Sequence, residues 1–298
     1  MLAQELTNHR RAARARAFAD DESTSPPQSE ALHGQVASLQ ETVSTLRREV
    51  DALKKELRAL QASNVQALDP FVSVDPNAEI GVAGPNIIFR GANIHVVSGS
   101  GATDDGGTPR GLGNLIIGYD EDPSIFGTPL NPGDRGGSHN LVIGRYNKFT
   151  QATFGGLVAG EKNTISNTGA SVSGGSGNTA SGPVSSVSGG VNNTASGSGA
   201  SISGGLVNSA TGDNASVSGG NANAASGDQA SVNGGIANTA SGAFSSISGG
   251  SNNTASGEVA SVNGGLGNAA SGDSTVVLGG QNVVDDKNNS IAPQPPFP

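Results

Sequence analysis

From Ala170 to Val284 the hydrophobic and polar positions recur every fifteen residues, in the form Ser-Val-Ser-Gly-Gly-x-x-Asn-Thr-Ala-Ser-Gly-x-x-Ala beginning at Ser171. The β-branched position falls at Val172, Val187, Ile202, Val217, Val232, Ile247, Val262 and Val277 without a slip of register. A short fixed period predicts a solenoid, because each unit can bury its apolar residues only against the units above and below. Within a unit the alternation has the period of a strand, and nothing in the region has a helical period. Ala170, Val172 and Gly174 are placed on the inward face and Ser171, Ser173 and Gly175 on the outward one; Asn178, Ala180 and Gly182 repeat the inward logic in the second half of the coil.

Two columns follow from the stacking. Asn178, Asn193, Asn208, Asn223, Asn238, Asn253 and Asn268 are expected to form a ladder of amides, one per coil. Gly182, Gly197, Gly212, Gly227, Gly242, Gly257 and Gly272 mark a site of positive φ or of close backbone approach. One branched side chain per coil is little against the entropy of ordering the backbone, so hydrogen bonds between coils and burial between chains are expected to carry much of the stability.

Upstream, short β-type runs separated by glycine predict less regular rungs: Phe71–Val74, Asn86–Phe89, Asn93–Val97, Asn114–Gly118 and Asn140–Gly144. Setting Leu115 and Ile117 beside Leu141 and Ile143, then Leu157 and Ala159, then Val172 and Gly174 as inward pairs predicts a core that thins toward the C-terminus. The insertions Ser98–Gly113 and Tyr119–Ser138 are the longest irregular stretches here and the expected place for recognition.

A different period governs the residues before these. Val36, Val43, Val50 and Leu57 take heptad a positions while Leu39, Leu46, Leu53 and Leu60 take d positions, the narrow stripe of a coiled coil. Glu49 at g and Lys54 at e favour parallel chains, and Val at a with Leu at d leans by itself toward dimers. The helix is expected to stop before Asp69-Pro70. The domain reading is a flexible leader over 1–31, a coiled-coil stalk over 32–68, irregular β-roll rungs over 69–156, regular rungs over 157–284 and a proline-rich tail over 285–298. In the leader, Ala17-Phe18-Ala19 has the form of a signal-peptidase site, but His9–Arg16 is basic where an apolar stretch is required, so no export signal is expected from it.

Composition sharpens the class. The 298 residues include 46 glycines, two tyrosines and no tryptophan or cysteine, which points to an extended repetitive assembly and excludes a disulfide framework and thiolate metal sites. A formal charge of -9 argues against a nucleic-acid partner, and no apolar run is long enough to span a membrane. The histidines His9, His33, His95 and His139 are scattered without metal-ligand spacing, His139 reading as a loop or strand-edge residue. Asp213, Asp228, Glu258 and Asp273 share one turn position in different coils and form a candidate Ca²⁺ ladder, weakened by Pro183, Ser198 and Ala243 at the same place. Asp104-Asp105-Gly106 and Asp120-Glu121-Asp122 read as loop carboxylates without EF-hand spacing. No catalytic residue, resident metal or cofactor is expected.

The phrases Asn114-Leu-Ile-Ile-Gly and Asn140-Leu-Val-Ile-Gly, with the repeated Ser-Val-Ser-Gly-Gly-x-x-Asn-x-Ala-x-Gly, resemble the YadA-like head repeats of trimeric autotransporter adhesins, over roughly residues 86–284 together with the stalk-like helix. The resemblance implies a left-handed parallel β-roll of three chains packed side by side on coiled-coil stalks, binding host matrix or surfaces. Three features depart from that family: a period of fifteen in place of fourteen, with the extra residue expected near Ser185; glycine at Gly174, Gly189 and Gly204 where the family has an inward isoleucine; and a proline-rich Ile291–Pro298 where the family carries a membrane anchor. The expected function is a non-enzymatic, surface-exposed or extracellular adhesin-like or structural fibre, homotrimeric, with a matrix or carbohydrate ligand. A tail-fibre or spike component of a phage or injection machine is the alternative, and an ice-binding solenoid a more remote one, since Ser209, Ala224 and Ala269 interrupt the threonine column begun by Thr179.

Overall fold

The computed structural model describes residues 26–62, 66–77, 83–122, 130–131 and 134–292. The basic leader with Ala17-Phe18-Ala19, residues 123–129 and 132–133 of the second insertion, and the last six residues lie outside the described set. The chain divides into two compact units, Met1–Ile94 and His95–Pro298.

The first unit holds one long helix, Pro26–Ala62. It starts earlier than its heptads, inside the stretch read as leader, because Pro26 and Pro27 sit in the first turn, where a missing N–H breaks no bond. It also stops earlier than Asp69-Pro70, with a separate 3₁₀ turn at Gln66–Leu68. The heptad residues Val36, Leu39, Val43, Leu46, Val50, Leu53, Leu57 and Leu60 are each between 44% and 63% exposed, an uncovered apolar stripe. The runs Val72–Asp75 and Asn86–Phe89 are not rungs of the solenoid: they pair antiparallel with each other, Val74 opposite Ile87. Asn93–Val97 enters no strand.

The second unit is a parallel β-solenoid. Its first rung strand is Leu115–Ile117 and its last is Ile291–Ala292, so residues 285–292, read as tail, form a further rung. One strand of each coil enters a twelve-stranded sheet and the other a ten-stranded sheet. A line of single bridges joins the corner residues Glu161, Ser176, Val191, Leu206, Asn221, Ile236, Ser251, Leu266 and Gln281. Each strand is only two residues long in the regular part, Ser171–Val172 and Thr179–Ala180 being the first such pair.

The register changes the inward assignment of the early rungs. Leu141 pairs with Leu157 and Val142 with Val158; Leu157 then pairs with Ser171 and Val158 with Val172. The inward column of the first sheet is therefore Val142, Val158, Val172 and onward to Val277, each 0–1% exposed, while Leu141, Ile143 and Leu157 face outward. The core does thin, but in the second sheet, where Phe149, Ile165 and Ala180 follow one another inward. Val and Ala are sealed within their own chain, so a partner chain would meet outer faces and not complete this core.

The fifteenth residue also sits elsewhere than expected. Val158 pairs with Val172 fourteen residues on, whereas Val172 pairs with Val187 fifteen on. The halves that differ are Val158–Asn163 and Val172–Asn178, so the added residue is in the corner at Gly174 and not near Ser185. Gly174 is not inward-facing; at its equivalents Gly189, Gly204 and Gly219 an added Cβ would meet nothing within 4 Å. Two glycine columns are required by the stacking: Gly175 and its equivalents, where φ is positive and a Cβ would also strike the next coil's carbonyl, and the Gly182 column. A Cβ on Gly197 would lie 2.0 Å from the Gly212 carbonyl oxygen, and φ there is ordinary, so close approach and not backbone freedom is the reason.

The asparagine ladder is built through the main chain. Asn208 Oδ1 accepts the backbone N–H of Asn223 at 3.0 Å, and its Nδ2 donates to Gly204 O at 2.9 Å and Gly220 O at 3.1 Å. The same three bonds recur at Asn178, Asn193, Asn223, Asn238 and Asn253. Each buried amide thus satisfies corner groups of its own coil and the next, which is what burial of a polar group demands.

Candidate functional site

The first insertion folds against the turn that precedes the second rung. Ser98 donates its N–H to His139 Nε2 at 3.1 Å, and His139 Nδ1 lies 2.7 Å from Thr103 O. A carbonyl only accepts and a backbone N–H only donates, so Nδ1 carries the ring proton and Nε2 is the acceptor. Ser138 Oγ accepts the N–H groups of Arg110 at 2.9 Å and Gly111 at 3.1 Å. Asp105, buried and at φ 52°, accepts the Ser98 hydroxyl and the Arg110 N–H. The Ser138 hydroxyl first, then those of Ser98 and Ser100, hold the Asp105 carboxyl far below the usual carboxylate range against the opposing effect of burial.

Serine, histidine and aspartate meet here, yet not as a nucleophile and its base. His139 Nε2 is taken by a main-chain N–H, and the Ser98 hydroxyl goes straight to Asp105. The arrangement is a tie that fixes the loop. Beside it lies an open cleft of about 480 Å³, walled by Val96, Val97, Ser98, Gly99, Thr103 and His139. Val97 is 67% exposed, so the cleft presents an apolar lip next to main-chain polar groups.

A second charged group closes the head of the asparagine ladder. Asp120, buried at φ 42°, accepts the N–H of Asn147 through Oδ1 at 2.7 Å, taking the place an asparagine holds in later coils. Arg135 Nη2 lies 3.2 Å from its Oδ2. Burial raises the Asp120 carboxyl above its ordinary value, with the Asn147 N–H and Arg135 opposing. Asp134, lowered by the Asn131 N–H and by Lys148 3.0 Å away, completes the cluster. At the other end Val283 N–H donates to Asn268 Oδ1, and with no amide on Val283 the ladder stops.

The four turn acids are one per coil along an edge, and the oxygens of the three aspartates are used in the stacking. Asp213 accepts the N–H of Ser198, Asp228 that of Asp213, and Asp273 that of Glu258. Among the described residues no three His, Asp or Glu side chains gather where they could hold a metal ion, and no helix is long and apolar enough to cross a membrane. The outward columns of the second sheet carry Thr164, Thr179, Thr194 and Ser209, then Ala224, so the hydroxyl row is broken as the sequence implied.

No protein-family model and no curated protein matches this chain. Roles therefore follow from the molecule's own geometry. The insertions expected to hold recognition do converge in part, Ser98–Gly113 being tied to Ser138 and His139. Sequence reasoning took Asp105 and Asp120 for plain loop carboxylates and passed over Arg135 and Ser138.

Proposed function

We propose that the chain is a non-enzymatic, homotrimeric fibre protein: an adhesin-like head of left-handed parallel coils on a parallel coiled-coil stalk, displayed outside the cell or at its surface. The uncovered heptad stripe carries this reading. Eight Val and Leu side chains at a and d positions are left in water by their own chain, and burying each contributes about 1.5–3 kcal/mol, which only association with other helices of the same stripe can supply along its whole length. Three chains, the left-handed coil and the surface role rest on the resemblance of the rungs to adhesin head repeats. The cleft beside His139, with Val96 and Val97 at its lip, is the best-placed contact for a matrix or carbohydrate ligand.

Sedimentation of the full chain tests the assembly. A trimer that falls to monomer on Leu46→Asp is the expected result; a folded wild-type monomer overturns it. Particles coated with the full chain are expected to adhere to matrix-coated surfaces and to lose adhesion on Val97→Asp, while equal adhesion of uncoated particles removes the adhesin role.

A further inference from the structure

The ladder asparagines are locked in place, but two others in the regular coils are not. Asn233-Gly234 and Asn263-Gly264 are the two Asn-Gly steps of the chain. They stand at the same corner two coils apart, where Ser173, Ser188, Ser203, Ser218 and Ser248 stand in other coils. Both asparagines are exposed. Each follows the buried valine of its rung, and its own N–H is held, Asn233 giving it to Ile247 O at 3.0 Å and Asn263 to Val277 O at 2.9 Å. The carbonyl of the next residue is held as well: Gly234 O accepts Asn238 Nδ2 at 2.9 Å and Gly264 O accepts Asn268 Nδ2 at 2.8 Å. Between those ties lies a loose link. Among the described residues nothing accepts the N–H of Gly234 or Gly264, and nothing donates to the C=O of Asn233 or Asn263. A Cβ added at either glycine would meet nothing within 4 Å, so both peptides border open space.

Asparagine is a labile residue because the next main-chain nitrogen can reach its side-chain carbonyl carbon and close a succinimide ring; a following glycine puts no Cβ in the way. Elsewhere that nitrogen is taken. Asn238 is buried with its whole amide bonded, and the Thr239 N–H goes to Asn253 O at 2.8 Å. Asn214 and Asn252 are exposed, but the N–H groups that follow them go to Gly212 O at 3.1 Å and Asn238 Oδ1 at 3.0 Å.

We propose that Asn233 and Asn263 are sites of spontaneous modification, deamidating through a succinimide in the folded chain. At Asn233, hydroxide removes the Gly234 N–H proton, the nitrogen bonds to Cγ, and the Cγ–Nδ2 bond breaks with release of ammonia. Water then opens the ring at one of its two carbonyls. Breaking the new bond at Cγ restores the ordinary main chain with an aspartate in place. Breaking the bond at the main-chain carbonyl carbon routes the chain through the side chain and lengthens it by a methylene. Either product adds a negative charge to the surface of the regular coils. The lengthened one also displaces Gly234 O and Gly235 O, the acceptors of Asn238 Nδ2 and Asn223 Nδ2, and so loosens the ladder at that coil.

The full chain is aged in the folded state at neutral and at mildly alkaline pH, with a urea-unfolded sample beside it, and mapped by mass spectrometry after proteolysis. The expected result is loss of the amide at Asn233 and Asn263, faster at the higher pH and with both aspartyl linkages present, while Asn208, Asn214 and Asn238 keep theirs. Amides at Asn233 and Asn263 that last as long as that of Asn214, or that are lost only in urea, overturn the proposal. Aspartate without any β-linked product overturns the ring route. Asn233→Ser with Asn263→Ser installs the residue other coils carry and should fold alike. The aged wild type should lose hydrogen-exchange protection at the Asn238 N–H, bonded to Asn223 Oδ1, and the aged variant should keep it. Equal protection in the two overturns the effect on the ladder.

Discussion

Replacing Asn208 with alanine isolates what the ladder contributes, because every bond the amide makes is defined. Three partners lose it. The Asn223 N–H has the Asn208 Oδ1 as its acceptor and is buried, so it is left orphaned, which costs about 1–3 kcal/mol. Gly204 O loses the Nδ2 donor of its own coil, costing about 1 kcal/mol. Gly220 O loses Nδ2 but still accepts the Leu206 N–H at 2.9 Å, so its loss is small. The sum is about 2–4 kcal/mol, with the cavity left by the shortened side chain at the upper end. In a solenoid this loss need not unfold the whole chain, since coils couple chiefly to their neighbours. Amide hydrogen exchange is therefore the assay. Asn208→Ala should lower the protection of the Asn223 N–H and its neighbours by roughly 30-fold or more, with the first rungs unchanged. The outward neighbour Ser209→Ala serves as the control, expected within about 0.5 kcal/mol of wild type. Unaltered protection at Asn223 would refute the reasoning, for it would mean that the amide is spatial filler and the corner is held by the strands alone.

Three further substitutions and a pH series probe other parts of the fold. Ser185 and Ser245 have buried hydroxyls without a partner in a column that is alanine at Ala200, Ala215, Ala230 and Ala260, so Ser185→Ala should stabilise by about 1 kcal/mol in urea titration. Gly197→Ala drives a methyl onto the Gly212 carbonyl and should destabilise by about 3 kcal/mol or prevent folding, whereas Gly189→Ala, facing open space, should be close to neutral by thermal melting. The Asp105 carboxyl is held low in the folded chain, so its contribution is present above the ordinary carboxylate pKa of about 4 and is lost as pH falls below it. Protection of the Arg110 N–H should therefore fall progressively as the pH drops below about 4 in the wild type, and Asp105→Asn should remove that dependence.

The periodic part of this molecule was legible because its register is set by composition that repeats. Val172 and its equivalents lie inside, Asn178 and its equivalents are buried, and the coil is fifteen residues long. The early rungs were misread by one position for a physical reason: Leu141-Val142-Ile143 is apolar throughout, so alternation cannot say which residues point in. Counting back from Asn147 to Val142, as from Asn163 to Val158, is what sets the frame. The amides were rightly placed but wrongly paired, since a side chain bonding to backbone and one stacking on its copy share the same period. The tie at Asp105, Ser138 and His139 had no periodic signal at all, because His139 reaches Ser98 across 41 positions of chain. Antiparallel pairing of Val72–Asp75 with Asn86–Phe89 was equally invisible, both being short apolar runs of the kind the rungs use.

The direction of the asparagine bonds has a genetic consequence. Every coil receives the same carbonyl from the coil before and passes the same one on, so Ser201–Ala215 could be duplicated or deleted as a block with all its bonds rejoining in kind. A change of any other length would set amides against the wrong partners. Growth by whole coils, about 4.8 Å at a time, is therefore open to unequal recombination between near-identical stretches of coding sequence. Asp120 and Val283, which close the two ends, would be untouched by it. Related chains should thus differ in the number of coils far more readily than in the make-up of either end.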